Sequence, residues 1–199
     1  MPTGIALQDP RATLFAAAER VLIRDGVGGL TSRAVTEEAG VAKGVLHRHF
    51  VDFDDFLAEL IRDHIALLGV ESSRLDESVG RGSLVSNLAD ALMRIFTPTA
   101  LGLIAVAGTR NDVRVRLRAG TPSGIPILTE STAMIASYLR AERQLGRLTL
   151  QADTERLAFA LIGTGHLLFA GELGGLPDDD AVEEVVESII VGAEPGLRP

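Results

Sequence analysis

Apolar side chains recur at helical spacing along most of the chain. The first helix is predicted to begin at Asp9-Pro10, because aspartate is a favoured N-cap and proline is favoured in the first turn. Gly26 is expected to end this helix in a left-handed conformation. The apolar stripe of the helix consists of Leu14, Ala17, Ala18, Val21 and Leu22.

Three further helices are predicted before residue 70. Thr31 is expected to N-cap a short helix that reaches about Ala39, where Gly40 stops it. A second short helix is predicted over residues 42–50, and a longer one from Asp52 to about Val70.

The rest of the chain keeps the helical pattern. An apolar stripe with a polar opposite face runs over 84–96. Residues 110–118 alternate polar and apolar as a strand does, but arginines at i, i+4 and i+8 favour a helix. Prolines and a glycine predict a loop at 121–126. Further helices are predicted over about 127–146, 153–171 and 178–192, so the predicted fold class is all-α.

Residues 31–50, with the sequence TSRAVTEEAGVAKGVLHRHF, predict two short helices joined by a tight turn. Gly40 can take a positive φ in that turn without a Cβ penalty. Leu46, His49 and Phe50 lie at i, i+3 and i+4 and are expected to face the core. Lys43 and Arg48 then project from the other side. This is the layout of a helix-turn-helix, whose second helix enters the major groove of DNA.

Composition and charge refine this interpretation. Hydrophobic residues make up 46% and charged residues 23%, as in an ordinary globular protein. The formal net charge of −8 argues against a general nucleic-acid coat, which needs a broadly basic surface. The six basic and five acidic side chains of residues 1–50 nearly balance, so the acidic excess lies beyond residue 50. Two regions with different electrostatic roles are therefore expected.

Several classes of site are not expected. The chain has no cysteine, which excludes disulfides, thiolate metal sites and a cysteine nucleophile. No nucleophile elbow, P-loop, HExxH or dinucleotide fingerprint is present, so an enzyme is not expected, and neither is a cofactor or a metal. His47 and His49 point apart on a helix and do not form a metal pair. No targeting or membrane segment is evident, and a cytoplasmic protein is expected.

The N-terminal sequence resembles TetR-type bacterial transcriptional regulators over about residues 10–60. The resemblance includes RATLFAAAERVLIRDG, Arg33, Ala39-Gly40-Val41 and Lys43-Gly44, with a weaker echo at 145–148 before Asp153. It implies a DNA-binding domain at 1–51 and an effector-binding and dimerisation domain at 52–199. It also implies a homodimer formed through the last two helices, and a small-molecule effector.

Four positions depart from the family pattern. His47 stands where a phosphate-contacting tyrosine is usual, and Phe53 where a lysine often follows the recognition helix. Ala42 replaces a hydroxyl cap and Thr36 replaces a small alanine. A protonatable histidine still donates to phosphate, but the loss of the lysine and of the cap indicates fewer backbone contacts.

Candidate DNA contacts follow residue by residue. Thr31 and Ser32 suit a phosphate at a helix start, with a plain N-cap as the alternative. Arg33 is either a phosphate contact or a solvated charge, and Val45 either touches a thymine methyl group or packs in the core. The candidates are Thr31, Ser32, Arg33, Lys43, Gly44, Val45, His47 and Arg48.

The C-terminal region predicts a second site and a dimer. Residues 157–169 are apolar all round, and the last helix places valines and isoleucines opposite Glu183, Glu184 and Glu187. Both features suit a two-fold four-helix interface, with a monomeric bundle as the alternative. The candidate effector-binding residues are Met93, Phe96, Met134, Tyr138, Phe159, His166 and Phe169, each with ordinary core packing as the alternative.

The sequence therefore predicts a one-component transcriptional regulator. We expect a repressor that binds a pseudo-palindromic operator in double-stranded DNA and is released by an apolar or amphipathic effector. The alternative is a helical small-molecule-binding protein whose DNA binding is weakened or lost, motivated by Ala42, His47 and Phe53.

Overall fold

The structure is a computed structural model that describes residues 9–118, 124–171 and 177–193. Within these ranges it contains ten α-helices, one short 3-10 turn at Val191–Ala193 and no β-strand, so the predicted all-α class is confirmed. The helices are α1 (Pro10–Gly29), α2 (Ser32–Glu38), α3 (Gly44–His49), α4 (Phe53–Glu77), α5 (Leu84–Ile95), α6 (Pro98–Thr109), α7 (Asn111–Leu117), α8 (Leu128–Gln144), α9 (Thr154–Phe169) and α10 (Asp179–Ile190).

Side-chain caps start the helices where the sequence predicts them. The first turn of a helix leaves backbone N–H groups without a partner, and a short polar side chain before it supplies one. At five predicted helix starts the cap accepts a hydrogen bond from the first turn: Asp9, Thr31, Asp52, Asp153 and Asp178. The predicted starts of these five helices are therefore confirmed.

Some predicted helix ends are wrong. Gly26 has a positive φ of 68° but a ψ of −174°, so it kinks α1, and helical structure resumes as far as Gly29. Helix α3 is shorter than predicted, and α4 continues past Val70 because Leu75 is buried and extends its packing. The helix predicted at 110–118 is confirmed as α7. Of the predicted loop at 121–126, residues 121–123 lie outside the described residues.

The helices form two packed groups that share α4. In the first group, which we call the head (α1–α3), α1 packs against α2 and α3. The second group, which we call the body (α4–α10), packs α4 against α5, α7 and α8, and α8 against α9. Helix α1 also contacts α6, and the start of α4 contributes Phe56 to the core of the head. The division at residue 51 stays a prediction.

The apolar stripe of α10 lies inside the monomer. Val182, Val186 and Ile190 are buried where α10 packs on α5 and α9. The apolar face of α10, which the sequence predicts to contact a partner subunit, is thus largely covered by helices of the same chain.

No single helix of the described ranges has the length and apolar composition needed to cross a membrane. Helices α5 and α6 meet that criterion only as a pair, with a bend of 64° between them.

Candidate nucleic-acid interface

The turn between α2 and α3 is tight and closed by backbone hydrogen bonds. Gly40 has φ 66°, the left-handed conformation that the sequence predicts. The Gly40 N–H donates to the carbonyl of Glu37 at 3.1 Å, and the Val41 N–H donates to that of Thr36 at 3.0 Å. Thr36 is itself buried, and its hydroxyl bonds back to the carbonyls of Ser32 and Arg33. The larger residue at this family position is therefore accommodated between the helices.

One face of α3 anchors it to the core. Leu46 and Phe50 are buried, as predicted, together with Val35 of α2. The prediction that His49 faces the core is wrong, because its side chain is exposed. Helix α3 ends at His49, and Phe50 leaves it with extended backbone (φ −137°, ψ 144°). The Phe50 ring thereby fills the interior, and the polar imidazole stays in water, where it has no desolvation penalty.

The opposite face of α3 is open to solvent. Lys43, Gly44, His47 and Arg48 are all exposed, whereas Val45 is half-buried and packs against the core. Helix α3 begins without a side-chain cap, and its N-cap position is Lys43 and not the expected Ala42. The α3 surface thus presents its polar residues outward, in the arrangement of a recognition helix.

The three candidate DNA-contacting residues at the start of α2 differ in exposure and in the partners they already have. Thr31 is exposed and caps α2 through its Oγ1 atom, which accepts from the Ala34 N–H at 3.1 Å. Ser32 is half-buried, and its Oγ makes no hydrogen bond within the described part of the chain. Arg33 is 82% exposed and pairs with Glu37 one turn away, at 2.7 Å.

Most positive charge in the head is already compensated. Within the described residues, neither Lys43 nor Arg48 has a carboxylate within ion-pair distance. Hydrogen bonds from Arg24 and Arg20 hold the pKa of Glu38 below its usual value. The uncompensated cationic side chains of the head therefore lie on the open face of α3. The arginines with carboxylate partners are Arg11 with Glu59, Arg20 with Glu38, Arg24 with Glu38 and Asp25, and Arg33 with Glu37.

An aromatic cluster lies under the end of α3. The ring of Phe50 packs edge-on against Phe56 at a centroid distance of 5.0 Å and lies 5.8 Å from Phe15. Arg11 lies over the Phe50 ring at 4.6 Å while its guanidinium holds Glu59 at 2.9 Å. Sequence reasoning missed this role of Arg11, because its partners are distant in sequence and no local pattern connects them.

Three of the predicted effector-binding residues come together between α5 and α9. Phe96 is buried and stacks on Phe169 at 5.5 Å, and the His166 ring lies 6.1 Å from Phe96. Met93 is half-buried in the last turn of α5, and Phe96 directly follows that helix. This cluster combines apolar rings with one polar imidazole.

The two α8 candidates are core residues. Met134 and Tyr138 are both buried one turn apart. The Tyr138 hydroxyl accepts a hydrogen bond from the Asn87 side chain at 3.0 Å, and burial raises the pKa of Tyr138 to about 12. Tyr138 is therefore a satisfied, neutral phenol inside the body.

Phe159 lies apart from the other effector candidates. Its side chain is 74% exposed on α9, at an open groove of about 510 Å³ between α8 and α9. The groove is lined by apolar and small residues that include Leu128, Ala133, Ile162 and Gly163. This surface has the composition of a protein–protein contact more than that of an enclosed ligand site.

Residues 14–60 match the family model described as bacterial regulatory proteins, tetR family. The N-terminal region of the chain therefore matches this family. The match covers the helix-turn-helix and the start of α4, so the predicted DNA-binding regulator of transcription is confirmed at the level of the family. The alternative of a ligand-binding protein without DNA binding is not favoured. TetR-family regulators bind operator DNA as dimers and respond to small molecules.

Solved structures share the fold over nearly the whole chain. A putative TetR-family transcriptional regulator from Mesorhizobium loti is 17% identical, with 93% of this chain and 96% of that chain covered and a TM-score of 0.69. A gamma-butyrolactone receptor (ArpA-like protein) is 20% identical, with coverages of 94% and 89% and a TM-score of 0.66. The multidrug binding protein EbrR complexed with imidazole is 20% identical, with coverages of 97% and 100% and a TM-score of 0.61. Among curated proteins, no sequence gives a significant match.

Proposed function

We propose that this TetR-family protein is a one-component transcriptional repressor whose operator binding is released by a small apolar or amphipathic effector. The observation that carries the proposal is the open face of α3, where Lys43 and Arg48 are exposed and, within the described residues, have no carboxylate partner. Cations without an internal partner are available to phosphates and to the major-groove edges of bases. The protein acts without enzymatic chemistry, on DNA in the cytoplasm.

The proposed DNA contacts divide into two groups. Thr31, Ser32 and Arg33 approach phosphates from the start of α2, and His47 donates to a phosphate in place of the usual tyrosine. Lys43 and Arg48 reach base edges or phosphates from α3, and Gly44 admits close approach of the backbone. Val45, half-buried against the core, contributes through the placement of α3.

We further propose that the homodimer forms over the groove between α8 and α9. Phe159 projects from this groove and is 74% exposed, and burial by a second copy would remove that apolar surface from water. The outward face of α10 carries Glu183, Glu184 and Glu187, and like charges across a two-fold axis repel. The α9 surface therefore suits a self-complementary contact better than that of α10.

The proposed effector site is the Phe96–His166–Phe169 cluster of the body. Rings with one imidazole suit an apolar or amphipathic molecule that offers one polar group. The names of two structural neighbours, a gamma-butyrolactone receptor and a multidrug binding protein, support a small organic effector. Effector binding would favour a dimer geometry in which the two recognition helices no longer match successive major grooves, with α4 as the lever.

Selection of bound duplexes from a random DNA library tests the proposal, followed by a screen for compounds that release the selected duplex. Lys43→Ala and Arg48→Ala are each expected to weaken binding and to reduce the slope of log affinity against log salt by about 1. Arg118→Ala is the control, since it removes an exposed positive charge from the body. Unchanged binding by both α3 variants in a mobility-shift titration at fixed salt would contradict the proposal.

A further inference from the structure

Arg110, which directly precedes α7, and Arg116 within α7 hold the first turn of α4, directly after the recognition helix. The guanidinium of Arg116 forms a bidentate pair with the carboxylate of Asp52: Nη1 donates to Oδ1 at 2.5 Å and Nη2 donates to Oδ2 at 2.7 Å. The same carboxylate caps α4 by accepting from the Asp55 N–H at 2.8 Å. The hydrogen bonds from Arg116 lower the pKa of Asp52 to about 2, so the pair stays charged throughout the physiological range.

The second arginine contacts the next two residues of α4. Arg110 lies 3.1 Å from an oxygen of Asp54, and its guanidinium lies 5.5 Å from the centre of the Phe53 ring. Phe53 stands where related regulators often carry a lysine. Here its ring stacks on Phe56 at 5.6 Å instead.

These contacts continue to the end of α3. Phe56 packs edge-on against Phe50, the residue that directly follows the recognition helix. The backbone N–H of Val51 donates to the Asp55 carboxylate at 3.0 Å, which fixes the connection between α3 and α4. A short series of contacts therefore joins α7 of the body to the helix that would read DNA.

We propose that Arg116 and Arg110 are positioning residues for DNA recognition, which set the direction of the first turn of α4 and thereby the orientation of α3. The inference rests on the proposed DNA binding. It follows from the kind of contact, because the Arg116 and Asp52 side chains are 33% and 47% exposed. Exposed ion pairs add little stability, whereas a forked arginine–carboxylate pair imposes a fixed geometry. The main effect of these arginines is thus on orientation and not on stability.

A measurement without DNA tests the positioning directly. In hydrogen–deuterium exchange of the full-length protein, Arg116→Gln is expected to lose protection at the Val51 amide and in α3, with little change in thermal midpoint. Arg118→Gln, an exposed arginine at the end of the same helix, is the control and should leave this protection unchanged. Unchanged protection of residues 44–52 in Arg116→Gln would overturn the inference, whatever the protein does with DNA.

Operator binding separates positioning from direct contact. On the duplex recovered by selection, Arg116→Gln is expected to bind roughly two- to thirtyfold more weakly. Its salt slope should equal that of the unmodified protein, because no phosphate contact is lost. Lys43→Ala should reduce the slope. A lower slope in Arg116→Gln would mean that Arg116 touches DNA itself, and a lower thermal midpoint with unchanged operator affinity would mean a purely structural role; either result overturns the inference.

A second variant covers the case in which Arg116→Gln folds poorly. Asp52→Asn keeps a capping oxygen for α4 but removes the charge that Arg116 holds. Its effect on operator affinity should not add to that of Arg116→Gln, since both break the same contact. Additive effects would overturn the inference. Selection that returns no preferred duplex would instead count against the proposed function, and the exchange experiment would still decide the role of Arg116.

Discussion

Truncation of Phe159 gives a direct test of where the second copy binds. Fully burying a phenylalanine side chain stabilises by roughly 1.5–3 kcal/mol. Phe159 is 74% exposed in the single chain, so its burial in an interface is worth about 1–2 kcal/mol per copy. A two-fold interface contains the residue twice, which makes about 2–4 kcal/mol per dimer. Phe159→Ala is therefore expected to raise the dimer dissociation constant roughly thirty- to a thousandfold.

Sedimentation velocity over a dilution series measures this change. Leu67→Ala on α4 is the matched control, since Leu67 is also a large exposed apolar residue but lies away from the α8–α9 groove. The control should dimerise as the unmodified protein does. A Phe159→Ala protein whose dimer affinity is unchanged would refute the placement of the second copy on this groove.

Three further predictions concern the core and the caps. Tyr138 is the only tyrosine in the chain, so the ultraviolet absorbance change that accompanies phenol ionisation reports on this residue alone; it should ionise near pH 12. Because the folded state holds its proton more tightly, the free energy of unfolding should fall between about pH 10 and 12, by about 2–3 kcal/mol, in denaturant titrations. A Cβ on Gly165 would lie 2.8 Å from the buried Phe96 ring. Gly165→Ala should therefore lower the free energy of unfolding in urea titrations: the steric cost is about 1–3 kcal/mol, and the higher helix propensity of alanine offsets part of it. Gly108→Ala, at a helical position with open space around it, should instead leave the free energy of unfolding unchanged or raise it. If Gly108→Ala were the less stable of the two variants, the close packing of Gly165 on Phe96 would be contradicted. Thr31→Ala removes the cap of α2 and should lower the free energy of unfolding by about 1 kcal/mol, as measured by the shift in urea midpoint.

Features of the fold that depend on adjacent residues could be predicted from the sequence. A cap needs only a polar side chain two or three residues before the N–H groups it binds, so Asp9, Thr31 and Asp153 identified helix starts without knowledge of the tertiary structure. The helix-turn-helix was likewise predictable, because Gly40 and the apolar positions around it lie within twenty residues. The open face of α3 followed from the same spacing.

Features that depend on distant residues could not be predicted. His49 has the spacing of a core residue, but α3 ends there and the Phe50 ring occupies the interior. The partner of Asp52 is Arg116, 64 residues away, and no local pattern connects them. Phe159 lies in an apolar run of the sequence, and only the packing of α9 on α8 shows that its side chain faces solvent. In each case tertiary packing, and not local preference, decided the environment of the side chain.

The solvent-exposed Lys43 has a practical consequence for mapping the protein on a chromosome. It is the single lysine in the chain, and it stands at the start of the helix proposed to enter the groove. Formaldehyde couples proteins to DNA mainly through lysine amines, so Lys43 is the main side chain through which this reagent would capture the protein. A Lys43→Arg protein would keep a positive charge at the same position yet be recovered poorly after formaldehyde fixation. Binding maps of such a variant should therefore be made by a footprinting method that needs no cross-link.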